Sequence, residues 1–170
     1  MDPSTSAYLY TVATVSITFV GFSALLLIFR QARGEVMTRY ESYFMLSFIQ
    51  PGFIVTAGAL LPQLLALYGL PASPVWRASS LITAIPILFF VASLPRRRRA
   101  ATSEPMPGYV RIFSLLQLLI ALYLVTNAVR SSAADGAPYA AAITALLFTT
   151  AIAYVVALGI ALEGPAGRTG

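Results

Sequence analysis

The chain has 170 residues, 58% of them apolar and 10% charged, with 11 basic residues against 6 acidic ones for a net charge of +5. Its mean hydropathy of +0.81 excludes an ordinary soluble domain, which would need a polar surface this sequence does not hold. Cysteine, histidine and lysine are absent, which removes disulfides, thiolate nucleophiles, iron–sulfur clusters, the usual haem and zinc ligands, and Schiff-base chemistry.

The expected fold class is an all-α integral membrane protein, a single domain built as a bundle of five transmembrane helices. Each apolar segment is near the ~20 residues that cross a ~30 Å hydrocarbon core. The first runs from Ala7 to Phe29. The preceding "MDPSTS" lacks the basic start of a signal peptide and the apolar run is too long for one, so this segment is expected to be a retained helix. On it Thr11, Thr14, Thr18 and Gly21 share one helical face, with Ser16 and Ser23 nearly opposite. The threonines are candidate pore-lining residues. Helix packing is the stronger reading, because such hydroxyls return to their own helix or to a neighbour.

After the connector "RQARGEVMTR", the second segment covers Ser42 to Gly69 and is the irregular one, with "FIQPGFIVTAGALLPQ" at its centre. Pro51, lacking an N–H, removes the hydrogen bond to the Ser47 carbonyl, and Pro62 removes the one to the Gly58 carbonyl. Two kinks are expected, with Gln50 and Gln63 beside the breaks as groups that can resatisfy the backbone. Gln50, Pro51 and Pro62 are therefore candidates for a pore or a hinge, a simple kinked helix being the other reading. The third segment, Val75 to Leu94, contains Pro86 and leads into a connector "PRRRRAATSEPMPG" that holds Arg96, Arg97, Arg98 and Arg99.

The fourth segment spans Tyr109 to Val129 and ends in "RSSAADGAP". The fifth, Tyr139 to Leu162, has the most orderly pattern. Ala141, Ala145, Thr149, Ala153, Ala157 and Ala161 recur every four residues, and all are small. Such a ridge lets another helix approach closely where lipid offers no hydrophobic drive, so it is read as a packing face. A short tail, 163–170, is expected in the cytoplasm.

Charge sets the orientation. The first and third connectors hold Arg33, Arg39 and the four-arginine run, with Arg30 and Arg111 at flanking helix ends. Near the second and fourth are only Arg77 and Arg130, beside Asp135. The positive-inside bias places the N-terminus outside and the C-terminus in the cytoplasm. The run Arg96–Arg99 then reads as a topology anchor, with anionic lipid headgroups as its partners, and no nucleic-acid role is expected. Tyr8, Tyr10, Tyr68, Trp76 and Tyr139 are expected at the outer headgroup level, and Tyr40, Tyr43 and Tyr109 at the inner one. Basic residues drawn only from arginine, in an alanine-rich chain, suggest GC-rich codons and hence a bacterial cytoplasmic (inner) membrane.

The acidic residues, Asp2, Glu35, Glu41, Glu104, Asp135 and Glu163, all fall at termini or in connectors. Proton-coupled transport wants an ionisable group inside the membrane, and acid–base or metal-assisted catalysis wants convergent carboxylates or histidine. Neither pattern is present, so no enzyme activity, cofactor or metal is expected. The leading expectation is a membrane-embedded assembly or accessory subunit that joins a homo-oligomer or a membrane partner protein. The alternative is a homo-oligomeric pore for small ions or polar solutes.

Overall fold

A computed structural model of the chain describes residues 2–32, 34, 39–103, 106–130 and 136–162. Arg33, Glu35, Glu104, Asp135 and the tail 163–170 with Glu163 and Arg168 lie outside the described residues. The described residues form five helices and no strand: α1 (Pro3–Ala32), α2 (Arg39–Leu67), α3 (Ala72–Ala101), α4 (Gly108–Val129) and α5 (Ala137–Leu162). All five are long and apolar enough to cross a membrane. Even the shortest, α4 with 22 residues, is ~33 Å long at ~1.5 Å per residue, against a hydrocarbon core of ~30 Å.

Proline marks the starts. Pro3 and Pro138 occupy first turns, where a missing N–H costs nothing, and Pro71 and Pro107 stand extended immediately before α3 and α4. Ahead of α1, the Asp2 carbonyl accepts the Ser6 N–H at 3.1 Å. The Asp2 carboxylate accepts the hydroxyls of Ser4 and Thr5. These bonds, Ser4's foremost, hold the Asp2 carboxyl below its ordinary pKa. At the other end of the first hairpin the chain turns at Gly69, whose φ of +71° is a left-handed conformation that L side chains resist.

Two elements differ from expectation. The arginine run is not a connector: α3 continues past Leu94, through Pro95 and Arg96–Arg99, to Ala101. Arginine and alanine are strong helix formers, and cations in the last turn oppose the negative end of the helix dipole. The Thr102 N–H closes that turn on the Arg98 carbonyl at 2.9 Å. The start of α2 also differs: the helix begins at Arg39 and takes in Glu41, placed in a connector on sequence alone, and it runs on through both Pro51 and Pro62.

The helices stand in a ring in chain order. Each touches its successor, α5 closes on α1, and α2 and α5 meet across the middle. That contact divides the ring into a tight triangle of α1, α2 and α5 and a wider quadrilateral of α2, α3, α4 and α5. The core follows it: Val55 and Ala59 of α2 lie buried with Ile143 and Leu146 of α5, flanked by Leu9, Ile87 and Leu124. The α1–α2 contact is especially close. A Cβ on Gly52 would overlap the Val20 Cγ2 methyl, so glycine lets the two helices meet closely there.

Candidate functional site

Polar chemistry inside the quadrilateral is concentrated at two levels, and proline creates the first. Because Pro62 has no N–H, the Gly58 carbonyl is left without its helical donor. The Tyr139 hydroxyl of α5 donates to that carbonyl at 2.7 Å. With its one proton used, the phenol can only accept from Thr83 of α3, 2.9 Å away. Three helices are thereby tied through one buried tyrosine. Trp76 covers it, with ring centroids 5.7 Å apart. A fourth helix joins nearby, where Asn127 of α4 donates to Ser80 Oγ of α3 at 3.1 Å. Trp76 and Tyr139, expected at the outer headgroup level, are buried between helices, where the phenol finds its hydrogen-bond partners.

The second level is a cavity of about 60 Å³ at the arginine-rich end, with room for a few water molecules. It is lined by Tyr43 and Ser47 of α2, Arg98 of α3, Tyr109 and Gln117 of α4, and Ala153 of α5. Arg98 is only 4% exposed and Gln117 6%. In the triangle, a water-sized cavity of about 20 Å³ lies among Ser16, Ser23, Thr150 and Tyr154.

The four arginines part company because successive helical residues point ~100° apart. Arg96 and Arg99 are exposed, whereas Arg98 turns into the bundle. Arg97 is half-buried and donates from Nη1 to Gln50 Oε1 on α2. Its guanidinium carbon lies 5.9 Å from the centroid of the Phe90 ring, a cation–π arrangement.

The threonine stripe lies on the outer side of α1. Thr11, Thr14 and Thr18 are all exposed, and each hydroxyl donates to a carbonyl of its own helix, those of Ala7, Tyr10 and Thr14, at 3.0, 2.9 and 2.7 Å. The opposite face points inward, with Ser16 donating to the Gly52 carbonyl of α2 at 2.9 Å. Pro51 and Pro62 are buried, and Gln50 is held by Arg97. Gln63 is half-buried, its side-chain amide lying beside the Ser6 carbonyl of α1 and the Ala59 and Leu60 carbonyls of its own helix. On α5, Ala141 and Ala145 are exposed, Thr149 is buried and Ala153 is half-buried. The surroundings of Ala157 and Ala161 lie outside the described residues.

Sequence reasoning passed over Asn127, Gln117 and the individual fates of the arginines. The available signal was an amide in the middle of an apolar helix, which is costly unless it finds a partner. Comparison with known proteins brings no further assignment: no family model matches the chain, and neither curated proteins nor solved structures include a significant match.

Proposed function

We propose that the chain is a multi-pass protein of the bacterial cytoplasmic membrane, N-terminus outside and C-terminus in the cytoplasm. In this reading it serves as a membrane-embedded assembly or accessory subunit and has no catalytic role. The observation that carries the proposal is where the polar side chains within the bundle are used. Tyr139, Thr83, Asn127 and Ser16 all bond one helix to another. Such bonds shape a rigid scaffold, and they leave the outer faces to meet other molecules. On α5 the outward side includes Ala141 and Ala145, small enough for a second helix to approach closely, from another copy of the chain or from a different membrane protein.

The pore alternative would place the threonine stripe of α1 at an axis between copies. Hydroxyls that already donate to their own helix have spent the hydrogen a passing anion would need, which favours the scaffold. A photo-crosslinking residue at Ala145 in native membranes is expected to give a discrete protein adduct. The same residue at Leu119, an exposed position on α4, should meet only lipid. Matching patterns at the two sites, or adducts at neither, would sink the subunit reading. Ion flux through liposomes well above that of empty ones, reduced by Thr14→Val, would move the assignment to the pore.

A further inference from the structure

Between α2 and α3 the outer surface is not flat. Three open cavities of about 290, 270 and 430 Å³ follow one another along the pair. Phe53, Ile54 and Pro86 line both the first and the second, and Gln50 and Arg97 line both the second and the third, so they join into one groove. Its far end, around Ala57, Leu61 and Ile82, is apolar. Its near end adds Tyr43 to Gln50 and Arg97. No acidic residue lines any part of it among the described residues.

We infer that this groove holds one anionic glycerophospholipid, its phosphate at Arg97, Gln50 and Tyr43 and an acyl chain along Phe53, Pro86 and Ile82. Length is the first argument. From Ile82 to Arg97 the groove runs ~22 Å along α3, and one leaflet with its headgroup region is ~20–22 Å deep. Chemistry is the second. A guanidinium carries five N–H donors in a fork, and Gln50 takes one from Nη1. That bond occupies the amide oxygen of Gln50 and directs its role toward its NH₂, so the groove's end offers two further kinds of donor with the Tyr43 hydroxyl. The Phe90 ring steadies the cation from below. A cationic end lined by no carboxylate among the described residues favours an anionic headgroup over a zwitterionic one. The inference separates the four arginines: Arg97 binds lipid at a defined place, and Arg96 and Arg99 supply only diffuse charge.

The inference rests on the membrane embedding proposed above, and extraction of the chain from membranes by alkaline carbonate would overturn that embedding, and the lipid site with it. The lipid site itself is tested on protein purified in a nonionic detergent and titrated with phosphatidylglycerol or phosphatidylcholine, bound lipid being counted by native mass spectrometry. Phosphatidylglycerol should bind about tenfold more tightly, and Arg97→Gln should abolish that preference. Ala57→Phe, which fills the apolar end, should weaken both lipids alike. Arg96→Gln with Arg99→Gln should change affinity by less than about twofold, as expected of exposed charges. The site is wrong if the wild type does not distinguish the two lipids, or if the Arg96/Arg99 pair matters as much as Arg97. It is equally wrong if Ala57→Phe has no effect, or if a second copy of the chain occupies the groove and excludes lipid. Should Arg97→Gln fail to fold, Ala57→Phe and the comparison of the two lipids decide.

Discussion

The phenol of Tyr139 answers for a carbonyl that proline has orphaned, and replacing it separates a hydrogen bond between helices from one within a helix. Interhelical bonds in membrane proteins average ~0.6 kcal/mol and reach ~1.7. Leaving a buried acceptor unpaired costs about 1–3 kcal/mol. Tyr139→Phe removes the donor to Gly58 and the acceptor for Thr83 together, and should lower stability by about 1–2 kcal/mol. Thr83→Val leaves Gly58 served and should cost less. Thr18→Val removes only an exposed bond back to its own helix and should stay within ~0.5 kcal/mol of wild type. Unfolding in detergent followed by circular dichroism measures all three, and equal losses for Tyr139→Phe and Thr18→Val would mean that Tyr139 does not tie the three helices together. At this scale half of the site was legible. Pro62 announces that Gly58 needs a donor. Which side chain supplies it depends on the rotation of α5 against α2, and a helix that is apolar all round does not encode its own rotation.

Elements were more legible than residues, because a hydrocarbon core of ~30 Å asks for apolar runs of ~20 residues, and all five runs of that length are helices. Ends were less so. Arginine is read in a sequence as the place where a span stops, yet it is also a good helix former, so α3 outlasts its apolar stretch and carries Arg96–Arg99 on helical phase. That phase, invisible in a string of four identical letters, sends Arg98 into the bundle and Arg97 to Gln50. Helix pairing brings its own test at Gly52. A methyl group there would overlap Val20, so Gly52→Ala should push α1 from α2 and cost about 1–3 kcal/mol, as overpacked contacts do. Val20→Ala in the same chain vacates the overlapping methyls and should restore most of the loss. Two costs that simply add would mean that α1 and α2 are not held together at this point, since residues in contact couple.

At the scale of the molecule, connectivity and charge act together. Successive helices run antiparallel, and α5 closes on α1 in parallel, which brings the ends of α1, α3 and α5 to one level with the starts of α2 and α4. Arg96–Arg99, the cavity of Arg98 and Gln117, and the cationic end of the outer groove therefore share one end of the bundle. If that end faces the cytoplasm, the connector between α2 and α3 must face outward. The chain contains no cysteine, so any introduced thiol reports alone. Leu70→Cys, exposed in that connector, should react with a membrane-impermeant thiol reagent added to spheroplasts. Ser103→Cys, exposed beyond the last turn of α3, should react only after the membrane is opened. Because Arg96 and Arg99 are the two exposed members of the run, Arg96→Glu with Arg99→Glu tests orientation without disturbing the cavity or the groove. The retention of positive loops acts during insertion, so this double change should make a fraction of Ser103→Cys accessible from outside, while the anion placed where Arg99 opposed the helix dipole should cost the folded chain only about 1 kcal/mol. Labelling of Ser103→Cys in intact spheroplasts of the otherwise unaltered chain would reverse the orientation. It would also move the lipid groove to the outer leaflet, where the same cationic end would meet a different set of headgroups.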